Sequence, residues 1–577
     1  MKVKQARTAG FCMGVRRAME MVLAEANKNR GPIYTYGPLI HNRQVMGLLE
    51  SKGITAVDDF RHLKQGTLVI RAHGIPPDER KLLRASGLHI IDATCPRVAK
   101  VQAIIRYHTK KGYCAVIVGD RDHPEVIGLV GYGNDRAYVI NEPREVAHLP
   151  DCEQLIVVAQ TTQDEQKFQE IVAAVKDRFP DALLSDTICD ATRSRQEEVR
   201  SFARQVDGLI VVGGYHSGNT QRLVQVAEGV GLPTFHVETE DALDRDQLSQ
   251  MEVVAVTAGA STPNWMIKDV VRAIERIRTR KETAPARWLR NAIKFLLLSN
   301  LGVALGAACL AHAAAMVAGR KPDLLYPCLA FLYIYSMHVA NRFLDKGAST
   351  YNDPEMASFY SNNRIFLILT SLASMIGVLA LSYFIGPATF FAMAALSILG
   401  VLYSMPIVPP RLQSLSRFSK IKDIPGSKTL SVALAWGAVT ALIPLLESSG
   451  VSFPGAVVSF IFVISVTYVR SALFDIFQAQ GDLIVGVETL PIVMGEKRTI
   501  HLLKWVLSLG ALILFFSPLF GVVGPFSYLM LLCLLTLALC LLAYHRHWLY
   551  PGTRLEAMVE GNLYLAGLLG LAWQLLT

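Results

Sequence analysis

The sequence predicts an α/β domain over about the first 280 residues and an all-α polytopic membrane domain over the rest, and three observations carry the prediction. Hydrophobic residues make up 51% of the 577 and charged residues only 18%, against roughly 25% charged in soluble chains. From Phe295 onward the apolar excess gathers into runs about 15 to 24 residues long, the length that crosses a hydrocarbon layer roughly 30 Å thick. Before that point, short β-rich runs alternate with longer amphipathic stretches, the pattern of parallel strands joined by helices. A wholly soluble, disordered or collagen-like chain is excluded. The opening MKVKQARTAGFCMG lacks the apolar core of a secretory signal, so the amino-terminal domain is expected in the cytoplasm.

Strands are expected at Pro32 to Tyr36, Thr67 to Arg71, His89 to Asp92, Ala115 to Val118, Gln154 to Val158, Leu209 to Val212 and Val253 to Thr257. Helical periods follow most of them, as at Arg97 to His108 and Glu165 to Arg178. Open parallel sheets bind ligands beyond the carboxyl ends of their strands, and the residues there are small and polar. They include His41 and Asn42, His73 and Gly74, Cys95 and Pro96, His123 to Glu125, Gln160 to Thr162, His216 to Thr220, and Ser261. A single histidine after a strand usually caps or packs. Three of them, each in a strand-end loop beside hydroxyls and glycine N–H groups, suit a diphosphate, whose oxygens take such donors and helix amino termini.

The net charge of +9 raises a nucleic-acid reading, but the bases form no stripe interleaved with aromatics, and no nucleic-acid partner is expected. Nine cysteines are too few for a disulfide scaffold and odd in number. Cys309, Cys328, Cys533 and Cys540 fall in apolar spans, and Cys114 and Cys152 adjoin strands, so all six are expected as small hydrophobes. Cys12, Cys95 and Cys189 lack zinc-motif spacing. Three thiolates from distant loops can hold a 4Fe-4S cluster with one iron open to substrate oxygen, or can be unrelated buried cysteines.

The local sequences decide between these. GFCMGVRRA around Cys12, GPLIHN, RAHG, DATCPRVAKV, HPEV, QTT, ICDATRSRQ and TAGAS resemble the 4-hydroxy-3-methylbut-2-enyl diphosphate reductases, the LytB/IspH family, over nearly all of residues 1–280. The resemblance implies three α/β modules around a central 4Fe-4S cluster on Cys12, Cys95 and Cys189. It implies a diphosphate site at His41, His73, His123, Thr162, Ser217, Gly218, Asn219 and Ser261, with Glu125 and Thr162 supplying protons. Gly218 departs from the family's serine-rich segment and offers only its N–H. No flavin or nicotinamide fingerprint is present, so electrons are expected from a separate carrier such as ferredoxin or flavodoxin.

A basic linker is expected over residues 281–294, then about nine spans near 295–318, 324–340, 365–385, 388–405, 430–446, 453–469, 505–523, 526–544 and 561–577. With the amino terminus inside, most loop bases fall on one face, as the positive-inside rule asks. Asn341 and Asp345 close the second span, and Asp475 and Asp482 the sixth. Carboxylates at such ends can share Mg²⁺ with phosphate oxygens or can be solvated loop acids. N-x3-D, the Lys420-x-Lys422-Asp423 loop and D-x6-D-x3-G-x2-Thr-Leu-Pro resemble the UbiA superfamily of intramembrane prenyltransferases over roughly residues 290–577. That resemblance implies Mg²⁺ at Asn341, Asp345, Asp475 and Asp482, and prenyl diphosphate at Lys420 and Lys422. Ser349 and Gln478 stand where the family commonly has aspartates. The expectation is a cytoplasmic reductase making five-carbon prenyl diphosphates, fused to a multi-pass prenyltransferase in membrane lipid. The alternatives are a non-catalytic anchor or prenyl-lipid-binding module in the second half, or a mere binding protein in the first.

Overall fold

Helices on both faces of a parallel sheet leave its central strands no polar side, so these strands must be apolar throughout. The runs Thr67–Ile70, Leu155–Ala159 and Gly208–Val212 are buried along their whole length, each large aliphatic side chain contributing about 1.5–3 kcal/mol. The computed structural model describes residues 1–27, 31–277, 284–344, 353–405, 424, 426–447, 452–485, 487–546, 548–549 and 553–577. The chain divides into Met1–Glu282 and Thr283–Thr577.

The first unit contains strands β1 Lys2–Gln5, β2 Ile33–Tyr36, β3 Ile54–Val57, β4 Thr67–Ile70, β5 His89–Asp92, β6 Cys114–Val118, β7 Ala137–Ile140, β8 Leu155–Ala159, β9 Leu183–Ser185, β10 Gly208–Val212, β11 Thr234–Val237 and β12 Val253–Ala258. They form three four-stranded parallel sheets, ordered β3-β2-β4-β5, β7-β6-β8-β9 and β11-β10-β12-β1. The expected α/β class with three modules is present.

All seven expected strands form, within a residue or so of their expected ends. The five that the sequence did not announce, β1, β3, β7, β9 and β11, all lie at sheet edges. None of the five is buried along its whole length, so none needs the continuous β-rich apolar run of a central strand. Cys114 and Cys152 depart from expectation, because they form a disulfide. Cys114 opens β6 and Cys152 precedes β8, the neighbouring strand, which brings their Cα atoms to 6.2 Å.

The helices of this unit are α1 Met13–Ala26, α2 Arg43–Ser51, α3 Pro77–Ala85, α4 Pro96–Thr109, α5 Pro124–Val130, α6 Glu165–Arg178, α7 Asp190–Phe202, α8 Gly218–Gly229, α9 Arg245–Ser249 and α10 Asn264–Arg276. In each sheet the strand order reverses between the two central strands, β2/β4, β6/β8 and β10/β12. Such a reversal opens a crevice at the carboxyl edge.

The second unit is helical among its described residues. Six helices there are long and apolar enough to cross a membrane: Arg364–Ile385, Pro387–Ser404, Ser427–Leu445, Phe453–Ala479, Glu496–Leu519 and Phe526–His545. Consecutive helices pack as neighbours, and Thr553–Leu576 returns against Leu301–Val317.

Three features differ from expectation. Most of the expected linker lies in a helix, Ala284–Leu298. The first expected span is broken at Asn300, whose φ of 61° is left-handed; few residues other than glycine accept that conformation as readily as asparagine. The sixth span does not end near residue 469 but continues unbroken as Phe453–Val485. Its 33 residues give about 50 Å at 1.5 Å per residue, well beyond the roughly 30 Å of a hydrocarbon layer.

Candidate active site

Each sheet of the first unit contributes to the site in the same way. The outermost strand of the three orders, β5, β9 or β1, is followed by a cysteine: Cys95, Cys189 or Cys12. The two central strands are followed by the polar loops, with His41 and His73 after β2 and β4, His123 and Thr161 after β6 and β8, and Ser217 and Ser261 after β10 and β12. One cavity is lined by all of these residues together with Glu125, Thr162, Gly218, Asn219 and Arg195. The sequence-predicted residues of the first unit therefore converge. A wider cleft of about 780 Å³ adjoins at His41, His123 and Gly218, with Arg222, Arg200 and Lys167 on its wall.

Helix amino termini set the electrostatics. Cys12, Cys95 and Cys189 are the N-cap residues of α1, α4 and α7, and His123 and Ser217 cap α5 and α8. Free N–H groups and the partial positive charge at such ends favour thiolates and phosphate oxygens. Burial pushes the Cys95 thiol up, while the Arg97 and Val98 backbone N–H groups oppose the shift. Gly14 is required where it stands, since a Cβ there would meet Cys95 Sγ at 2.6 Å.

Three arginines tie the cysteine loops together in pairs. Arg17 donates to Thr94 O at 3.1 Å, joining α1 to the Cys95 loop. Arg97 pairs with Asp190, joining the Cys95 and Cys189 loops. Arg195 donates to Gly10 O at 2.6 Å, joining α7 to the Cys12 loop. None of the three was singled out from sequence, where their partners are 77, 93 and 185 residues away.

The thiols of Cys12, Cys95 and Cys189 are free and partly accessible, and soft donors of this kind suit iron–sulfur ligation. Convergence on one cavity and the Gly14 clearance fit a 4Fe-4S cluster with three protein ligands.

The three imidazoles have ring centroids 4.6 to 5.8 Å apart. Their nitrogens lie close enough together for a metal ion, but the hydrogen bonding favours an anion. His123 Nδ1 accepts from the Glu125 N–H at 3.1 Å, so the neutral ring carries its proton on Nε2 and presents a donor. His41 Nε2, His73 Nδ1 and Asn219 Nδ2 are buried without partners, and buried polar atoms left so ordinarily await a ligand. Burial holds all three histidines below the usual imidazole value, His123 at about 4. A Cβ on Gly218 would come within 3.3 Å of the His123 ring. Glycine there lets the imidazole sit against the α8 amino terminus.

Glu125 is 2% exposed. Burial raises its pKa, against the pull of its bonds to Thr161. Thr161 donates its N–H at 2.7 Å and its hydroxyl at 2.8 Å to the two carboxylate oxygens. The residue that holds the carboxylate is thus Thr161, the neighbour of the Thr162 expected to act with Glu125. The Thr162 hydroxyl instead accepts from Gln160 Nε2 at 3.0 Å. Adjacent residues leaving a strand point to opposite sides, and only contact with the carboxylate tells the two threonines apart.

In the second unit, Asp475 and Asp482 stand on one face of the helix Phe453–Val485, two turns apart, and are 3% and 1% exposed. Asp475 accepts from Thr429 Oγ1 at 2.6 Å and lies 3.4 Å from Lys428 Nζ. Asn341 Oδ1 accepts from Ser404 Oγ at 3.0 Å. Asp345, Lys420 and Lys422 lie outside the described residues.

Three thiols at the ends of three sheets, with imidazole, hydroxyl and amide donors in the crevices between, make an enzyme site whose donor set suits an iron–sulfur cluster beside an anionic group. Residues 3–275 match the LytB protein family, and the chain belongs to it. The 4-hydroxy-3-methylbut-2-enyl diphosphate reductase of Opitutus terrae is 41% identical over 289 residues, covering 48% of this chain and 100% of that protein. The solved structure of the E-1-hydroxy-2-methyl-but-2-enyl-4-diphosphate reductase from Plasmodium falciparum is 28% identical with a TM-score of 0.46, covering 51% of this chain and 98% of that one. A UbiA homolog from Archaeoglobus fulgidus, solved bound to GPP and Mg²⁺, is 17% identical with a TM-score of 0.38, covering 49% of this chain and 98% of that one.

Proposed function

We propose that the first unit reductively removes the allylic hydroxyl of 4-hydroxy-3-methylbut-2-enyl diphosphate, giving isopentenyl and dimethylallyl diphosphates. The observation that carries this is one cavity holding three free helix-capping cysteines beside His41, His73 and Asn219, whose buried polar atoms have no partner. When bound, a 4Fe-4S cluster supplies single electrons and an iron open to a substrate oxygen. His123 Nε2–H, Asn219, Ser217, Ser261 and the Gly218 N–H hold the diphosphate, satisfying groups that are costly to leave bare. Glu125, whose pKa burial raises, donates a proton as water departs, and Thr161 holds its carboxyl in place. The electrons come from an external ferredoxin or flavodoxin. Anaerobically purified full chain in detergent should be brown, with iron near about four per chain, and should form both products from reduced carrier. Colourless, iron-free protein without turnover would refute the reading.

Diphosphate binding should also draw in protons. His41 and His73 sit below the usual imidazole value in the free site, and an adjacent anion raises them. Affinity for inorganic diphosphate should therefore rise as pH falls from 8 towards 6. The binding enthalpy should differ between two buffers of different ionisation enthalpy, and equal enthalpies would contradict this.

For the second unit we propose Mg²⁺-dependent prenyl transfer, with the first unit on the cytoplasmic side. Two buried carboxylates two turns apart, with Asn341 on a second helix, support the reading, because carboxylates near lipid are expensive to keep without use. Lys428 and Thr429 both contact the Asp475 carboxylate. Asp345→Ala and Asp482→Ala should each abolish transfer from labelled prenyl diphosphate to extractable lipid while leaving membrane insertion intact. Metal-independent binding of prenyl diphosphate with no diphosphate release, across phenolic and glycerol-phosphate acceptors, would favour the anchor or binding module instead.

A further inference from the structure

Arg195 differs from the other two arginines that tie the cysteine loops. Arg17 and Arg97 reach solvent in part, and Arg97 has a carboxylate partner in Asp190. Arg195 is 4% exposed and, among the described residues, forms no ion pair. Its guanidinium donates only to carbonyls, Gly10 O at 2.6 Å and Ala191 O at 3.1 Å, and its Nε is buried without a partner. Glu198, one turn further along α7, attracts it through space without an ion pair or hydrogen bond between them. Both oxygens of that carboxylate are taken by Arg7 N–H, Thr8 N–H and the Thr8 hydroxyl at 2.7 to 2.9 Å.

A buried cation is costly unless negative charge faces it, and the groups that face Arg195 are Glu198 and the sulfurs of Cys12 and Cys189. The side chain lines the site cavity with Cys12, Cys95 and Cys189. Three thiolates outweigh the positive charge of an oxidised 4Fe-4S core, and each electron added makes the assembly more negative. A fixed buried cation at its edge therefore favours the reduced state, since net charge and burial are main determinants of cluster potential. The low-dielectric wall prevents water from screening that effect.

We propose that Arg195 is a positioning residue whose buried charge raises the reduction potential of the cluster held by Cys12, Cys95 and Cys189, and so lets an external donor load it with electrons. The inference rests on the three-thiolate cluster proposed above. It makes the Gly10 hydrogen bond the means of aiming the charge rather than its purpose.

The test is a spectroelectrochemical titration of anaerobically prepared full chain, with iron counted in every sample and no turnover assay required. Arg195→Gln should shift the midpoint potential to a more negative value at parental iron content, whereas Arg195→Lys should stay near the parent. Iron lost from the glutamine variant but kept at the parental potential in the lysine variant would support the same conclusion. A glutamine variant with full iron and an unchanged potential would overturn the proposal, as would a lysine variant shifted as far as the glutamine one. Loss of the cluster from both would make Arg195 a brace for the Cys12 loop and would also overturn it. Parent protein without iron would refute the cluster itself, a failure distinguishable from the others before any variant is compared.

Discussion

Serine at position 12, 95 or 189 should strip the first unit of its cluster and of all measurable reductase activity. Each cysteine caps the helix that follows it, and serine is a better N-cap than cysteine, so the fold should survive the change. What is lost is a soft, polarisable ligand, and a hydroxyl replaces it poorly towards iron. Unaltered melting in the apo form, combined with a sharp fall in iron and no product, is the expected pattern for all three. Since the three positions are equivalent by module, their effects should be similar in size. A single variant with full iron and normal turnover would remove that cysteine from the site.

Glu125→Gln should lower kcat by about 10²- to 10⁴-fold, the usual worth of a positioned acid, with a smaller change in KM. Glutamine is nearly isosteric and its carbonyl oxygen can accept one of the two Thr161 hydrogen bonds. The loss thus falls on the proton and not on the architecture. The pH profile gives a second measurement. Because burial raises the Glu125 pKa, the acid form persists above the ordinary carboxyl range, and parental kcat should decline as pH rises through that raised value. The glutamine variant should lack this limb. Near-parental turnover in the variant would hand the proton to a water or a neighbouring imidazole.

The sequence alone determined the class of both units, the central strands and most of the site. Central strands such as β8 and β10 are buried on both faces, so folding requires an apolar run that anyone can read. The site residues are equally visible, because a parallel sheet places its ligand loops directly after its strands. His41, His73, His123, Cys95 and Ser217 could each be found next to a strand without knowing where that strand would go.

The tertiary structure alone decided what depends on which loops meet. That Thr161 and not Thr162 holds Glu125 follows from an approach between loops 36 residues apart, which no local pattern encodes. The same holds for the disulfide between Cys114, at the start of β6, and Cys152, just before β8, which the pairing of those strands brings together. In the second unit, hydropathy marks where a helix can enter lipid but not where it stops being a helix. Beyond residue 469 the chain turns polar, yet Phe453–Val485 continues because its inner face stays buried, Asp475 and Asp482 included. Arg195 shows the limit most sharply. In the sequence it is one of two arginines in ICDATRSRQ, and only the closing of α7 onto the Cys12 loop turns it into a buried charge beside the cysteines, because burial is a property of the packed chain and not of any segment of it.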